Sequence, residues 1–334
     1  MIDKSDMKHI SILVPKGEVA LSCIEGSYTV FNKVNDFLVN SGKQPLFKVQ
    51  LIGLTKEAEV YQRLFRVTPD LTINDEVKTD LIIIPAVNGD MQKVVETNKD
   101  FLPWLVTQYK NGAELASLCV GTFLLASTGL LEGKKCSTHW LSANDFRKMF
   151  PNVELLSEKI ITDEQGIYTS GGANSFLNLI LYLVEKFAGR DMALLCSKVF
   201  EIEIERETQS PFIIFGGQKD HDDEPIKKAQ AFIETNFQEK ITIDQLANML
   251  ALSRRNLERR FKKATSNTAT EYMQRVKIEA AKMSLESSRE NVNEVMMKVG
   301  YNDTKAFRNT FKKITGLSPA EYRNKYNRVP ISSY

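Results

Sequence analysis

At 334 residues the chain exceeds the usual size of a single domain, so two domains are the starting expectation. A hydrophobic fraction of 43% suffices for two cores, and no apolar run is long enough to span a membrane. The net charge of +2 hides an imbalance, with 21 Lys and Arg against 11 Asp and Glu in residues 225–334 and 23 against 31 in the rest, so the basic part is suited to meet a polyanion.

The opening MIDKSDMKHI carries acids and no apolar stretch. It reads as neither a signal nor a transit peptide, and a cytoplasmic protein is expected. Cys23, Cys119, Cys136 and Cys196 have neither C-x-x-C spacing nor histidine partners. That argues against a disulfide framework and a metal site, and no cofactor is expected. Short aliphatic runs at 9–15, 49–54, 80–86 and 115–120 read as buried strands, while 27–40 and 101–111 show helical spacing. Strands separated by helices imply an α/β domain with a mostly parallel sheet covered by helices. The stretch ELASLCVGTFLLASTGLL (114–131) reads as strand, sharp turn and helix, with Cys119 at the corner and Gly121 two residues on. A cysteine at a helix N-terminus is expected to have its pKa lowered by the helix field. Thr138, His139 and Trp140 follow this turn.

Residues 209–225, QSPFIIFGGQKDHDDEP, break the pattern and are expected to link domains at 1–208 and 226–334. His221 beside Asp222, Asp223 and Glu224 invites a metal, but a single histidine among acids in a linker reads as solvated. From Pro225 onward the pattern is helical, beginning with 226–236. The chain then repeats itself 50 residues apart: FKKATSNTATEY (261–272) lies over FKKITGLSPAEY (311–322). In the first copy a short helix from Ile243 is followed by a turn and a second helix, Arg254–Thr265, capped by Ser253. Leu257, Phe261 and Ala264 make its inward stripe, and Arg255, Glu258, Arg259 and Lys262 an outward one. In the second copy Thr304–Thr315 turns Phe307, Phe311 and Ile314 inward and Thr304, Lys305, Arg308, Asn309 and Lys312 outward. Outward arginines on such a helix suit major-groove reading, because a guanidinium can donate twice to guanine. A helix over Thr268–Ser287, roughly 30 Å long, would hold the two readers about one DNA turn apart.

The stretch from Ile243 to Tyr326 resembles the AraC family DNA-binding domain, above all in VGYNDTKAFRNTFKKITGLSPAEYR (299–323). The resemblance implies base-edge contacts from Arg255, Glu258, Arg259, Thr304, Lys305, Arg308 and Asn309. It implies phosphate contacts from Lys262, Lys263, Lys312 and Lys313. Ser266 and Ala269 stand where the family has Gly and Pro, and Met296 where a small residue is usual, so the end of the first reading helix is expected to be built differently.

Residues 9–205 are similar to the PfpI-like branch of the class I glutamine amidotransferase-like fold, a flavodoxin-like architecture, with Cys119 at its nucleophile elbow. Such a domain joined to an AraC-type reader resembles the GlxA family of regulators. The acid of that elbow comes from the loop after the first strand, where Ser22 falls in register and Glu18 and Glu25 do not. No catalytic residue is therefore expected, and Cys119, His139, Trp140 and Ser22 are expected to line an effector pocket. A surviving cysteine hydrolase or amidotransferase, a thiol redox sensor and an ordinary buried thiol remain the alternatives. The resemblance implies promoter DNA and a small nitrogenous metabolite, quaternary amines included, as partners, with Trp140 suited to a cation. A homodimer is expected.

Overall fold

In the computed structural model, which describes residues 7–60, 64–204 and 207–327, the aliphatic runs become the centre of a seven-stranded sheet. Its strands are Lys8–Val14 (β1), Phe47–Gly53 (β2), Leu71–Thr72 (β3), Leu81–Ile84 (β4), Glu114–Leu118 (β5), Ile161–Glu164 (β6) and Ile167–Ser170 (β7). They lie in the order β6-β7-β5-β4-β1-β2-β3, parallel throughout except for the antiparallel edge strand β6. All four residues of β4 are buried, which explains its unbroken apolar run: a strand covered on both faces has no polar side to alternate with. Helices Leu21–Asn40 (α1), Phe101–Lys110 (α2), Thr122–Ala126 (α3) and Phe176–Ala188 (α4) supply Val30, Phe31, Leu105, Phe123 and Leu179 to the same core. β4 and β5 end side by side, and the chain leaves β5 directly into Cys119.

The chain divides into two units after Gln209. The second is all helical: Glu224–Thr235 (α5), Ile243–Met249 (α6), Arg254–Thr265 (α7), Ala269–Ser287 (α8), Val292–Lys298 (α9), Thr304–Thr315 (α10) and Pro319–Tyr326 (α11). Side-chain caps fix where these helices begin. Ser253 accepts from the Asn256 N–H and Asp303 from that of Ala306. Thr268, Asn291 and Ser318 form reciprocal boxes with Glu271, Glu294 and Glu321. The helices bury two separate cores. Leu246, Leu257, Phe261 and Tyr272 belong to the first. Val295, Met296, Phe307, Phe311 and Tyr322 belong to the second, where the long Met296 side chain is accommodated by burial. Helix α8 serves both, giving Ala269 and Tyr272 to one and Ile278, Ala281 and Leu285 to the other.

Ser266 does not make the first reading helix end differently. It adopts the left-handed conformation (φ 58°) that Gly316 adopts after α10 (φ 77°), and each N–H bonds the carbonyl four residues back. The turns before the reading helices also match, with Ala251 at φ 51° and Gly300 at φ 76°.

The expected linker at 209–225 is likewise corrected. Gln209 is buried in the first unit, residues 210–223 lie on the helical unit, and α5 already begins at Glu224. His221, expected to be solvated, pairs with Gln230 (2.9 Å) and accepts from the Asp223 N–H (3.2 Å). Among the described residues no group of three or more His, Cys, Asp or Glu could hold a metal ion, and no helix is long and apolar enough to cross a membrane.

Candidate DNA interface and effector cleft

Two helices of the second unit present their basic faces to solvent. On α7, Leu257, Phe261 and Thr265 are buried, Ala264 is half-buried, and Arg255, Glu258, Arg259 and Lys262 are all exposed. On α10, Phe307, Phe311 and Thr315 are buried, while Thr304, Lys305, Arg308, Asn309 and Lys312 are exposed. Lys263 and Lys313 are exposed as well. All nine expected reading positions thus lie on the open faces of two capped helices. The faces differ in how far they are occupied from within. Glu258 accepts from Arg254 (3.5 Å), Arg259 donates to Asn256 (3.0 Å), and Lys262 donates to the Ser266 carbonyl (2.8 Å). Among the described residues, the side chains of Arg255, Lys305, Arg308 and Asn309 make no hydrogen bond or ion pair, so their donors are open to a ligand. Arg260, between the stripes, instead turns back to bond Asp223 through two nitrogens (2.9 and 2.6 Å).

In the first unit the strand-to-helix corner is real and strained. Cys119 has φ 55°, unusual for a residue with a side chain and characteristic of an elbow that projects it. Gly121 makes the corner possible: a Cβ there would lie 2.6 Å from the Ile84 carbonyl oxygen and 2.7 Å from that of Pro85. The Cys119 N–H donates to Ser170 Oγ at 3.4 Å, and its carbonyl accepts from Thr122 and Thr138 (3.1 Å each). The expected activation of the thiol is absent. Burial pushes Cys119 up to about 12, with Cys23 adding to the rise, and helix α3 has only five residues with which to oppose it. Cys119 is therefore a neutral thiol at pH 7.

His139 and Trp140 are half-buried with ring centroids 5.7 Å apart. His139 Nδ1 accepts from the Leu141 N–H (3.1 Å), which leaves the proton of the neutral ring on Nε2; burial holds its pKa below the ordinary value. Among the described residues, no hydrogen bond joins His139 to Cys119. Ser22 is exposed on the first turn of α1, and Glu25 accepts from Thr29 (2.6 Å). Thr138 ties the elbow to the segment bearing His139 and Trp140, and Ser170 ties it to β7, whereas Ser22 and both glutamates stay outside these bonds.

Two groups escape the sequence reading. Gln209 is buried and donates to the carbonyls of Thr138 (3.0 Å) and Lys159 (3.2 Å), while its oxygen accepts from the Trp140 N–H (3.3 Å). The buried Ser175 hydroxyl, on the loop after β7, has no hydrogen-bond partner among the described residues. Neither stands in a motif. Only tertiary contact singles them out.

With this geometry in place, comparison with known proteins is specific. Residues 36–186 match the DJ-1/PfpI family and residues 246–325 a helix-turn-helix domain. The HTH-type transcriptional regulator GbdR of Pseudomonas aeruginosa is 27% identical over 269 residues, covering 77% of this chain and 70% of that protein. The HTH-type transcriptional regulator GlxA of Rhizobium meliloti is 22% identical over 215 residues, 64% of this chain and 66% of that one. Among solved structures, a THiJ/PfpI family protein from Pseudomonas syringae covers 73% of this chain and 90% of its own, with a TM-score of 0.50 at 17% identity. The chain is a DNA-binding transcription regulator in which a DJ-1/PfpI domain precedes a helix-turn-helix domain, similar to regulators of the AraC family.

Proposed function

We propose that the chain reads a bipartite promoter site through α7 and α10 under control of a small molecule held, chemically unchanged, near Cys119. Arg255, Glu258, Arg259, Thr304, Lys305, Arg308 and Asn309 are the base readers, and Lys262 and Lys312 contact phosphate. Arg259→Ala is expected to cost about 1–3 kcal/mol on the cognate site and to relax base preference at one or two positions. Lys312→Ala is expected to weaken all sequences alike and to flatten the log–log salt dependence by roughly one. Binding assays on cognate and random duplexes separate the two; equal losses on both duplexes for Arg259→Ala would remove it from the base readers.

The observation that carries the binding rather than catalytic reading is the Cys119 thiol itself. It sits on a strained elbow, yet it is buried, protonated and unlinked to His139. An acyl-transfer nucleophile needs a base within hydrogen-bond reach and an acid to orient that base. The same protonation disfavours a redox sensor, because oxidants attack thiolates. The effector class is small and polar, with quaternary amines favoured by the half-buried Trp140 beside a neutral His139. A panel of quaternary amines and amino acids is screened by thermal shift, and the mass of each binder is followed during incubation with the full chain. Binding without conversion is expected, and Cys119→Ala should change the affinity without changing the product pattern. Turnover that disappears in Cys119→Ala would make the first unit an enzyme.

A further inference from the structure

We infer that residues 210–223 brace the two helix-turn-helix units against each other and thereby set which half-site spacing the protein accepts. The inference rests on the reading that both units engage DNA, and it adds the residues that decide the geometry. Each helix-turn-helix unit has its own core, and helix α8 contributes buried residues to both. The turn after α5 adds a contact, with Phe237 against the second core and Gln238 against Gly300. A helix of 19 residues and one such contact leave twisting between the reading helices open. The segment 210–223 runs alongside and is fastened at both ends.

At its start, the turn Ser210–Phe212 packs against the second reading helix α10, with Ser210 and Pro211 buried. The Lys325 ammonium of α11 lies 5.4 Å from the centre of the Phe212 ring. In the middle, the segment is bound to α8. Lys282, with only 4% of its side chain exposed, donates to the Ile213 carbonyl (2.6 Å) and to Glu279 (2.8 Å). Glu279 in turn accepts from the Phe215 N–H (3.1 Å). The Phe215 ring meets Tyr272 edge-on at 5.1 Å, with the Arg275 guanidinium 5.9 Å from its centre. At its far end, Asp223 is bound by Arg260 of the first reading helix α7 through two hydrogen bonds. A buried lysine is costly unless its charge is compensated, and here its partners are a carboxylate and a backbone carbonyl of the segment itself. Lys282 and Phe215 are positioning residues: they touch no DNA, and they fix the frame in which α7 and α10 are held.

The test is in vitro selection by the full-length protein from a duplex library in which two half-sites are separated by about 8 to 13 base pairs, centre to centre. The wild type is expected to enrich one spacing. The Lys282→Met, Phe215→Ala double variant should enrich several adjacent spacings, while its affinity for an isolated half-site stays within about twofold of wild type. Lys282→Arg, which keeps a donor, should restore much of the single-spacing preference. Since the double variant removes core contacts, a second variant carries two glycines inserted between Gly216 and Gly217, which keeps every fastening residue but adds slack. It too should broaden the spacing. Retention of the wild-type spacing by the glycine-insertion variant, or by a folded double variant, overturns the inference. A wild type that enriches solitary half-sites would instead overturn the two-reader reading on which it rests.

Discussion

Gly300→Ala is expected to destabilise the helical unit by about 4 kcal/mol or more and to abolish reading by α10. The residue lies in the turn between α9 and α10 at φ 76°, where a side chain alone costs about 1–2 kcal/mol. Space adds far more. A Cβ would stand 2.0 Å from the Gln238 carbonyl oxygen and 2.7 Å from Lys277 Nζ, and Gln238 is backbone that cannot swing aside. Lys277 donates to the carbonyls of Gly300 (3.2 Å) and Glu239 (3.3 Å), so displacing the turn also strips partners from a half-buried ammonium. Both tryptophans, Trp104 and Trp140, belong to the first unit, so in denaturant melts tryptophan fluorescence reports the first unit alone, whereas far-UV circular dichroism at about 222 nm reports the helices of both. The helical unit's part of the dichroic transition should move to lower denaturant while the fluorescence transition stays. A variant within about 1 kcal/mol of wild type would show that the turn relaxes freely.

Insertion of five base pairs between the two half-sites is expected to lower affinity roughly a hundredfold or more. Half a helical turn carries the second half-site to the opposite face of the duplex. Readers fixed on one rod with capped ends cannot follow it, because Thr268 and Asn291 define where α8 and α9 begin and the cores on either side are closed. Insertion of a full turn should fail as well, because the rod of 19 residues is only roughly 28 Å long. Gel-shift titrations with the full-length protein decide it, and unchanged affinity for the duplex with the half-turn insertion would mean that a single unit accounts for binding.

Much of this is legible in the sequence. The limits of both reading helices, Arg254–Thr265 and Thr304–Thr315, follow from Ser253 and Asp303 ahead of an apolar stripe at helical spacing. Local chemistry decides such positions, so local sequence reveals them. The central strands are equally plain, because burial on both faces leaves nothing but aliphatic residues. The segment 210–223 is not. Gly216-Gly217 and mixed charge give it the composition of a tether, and its order comes from Lys282, Glu279 and Arg260, which stand 37 to 69 residues away. The state of Cys119 escapes a sequence reading for a related reason. A helix N-terminus is visible in sequence and argues for a lowered pKa, whereas the depth of burial that overrides it is a property of the assembled fold.

The paired left-handed residues have a dynamic consequence. Within the helical unit, the second helix-turn-helix module places glycine at both of its left-handed positions, Gly300 and Gly316, and the first module places Ala251 and Ser266 at the corresponding points. Each non-glycine there costs about 1 kcal/mol or more in the folded state, a burden the second module escapes. Two duplicated modules with matching caps therefore need not open together. Amides of α6 and α7 should exchange with solvent faster than their counterparts in α9 and α10, so that in the absence of DNA the first reader is the one that samples locally unfolded states.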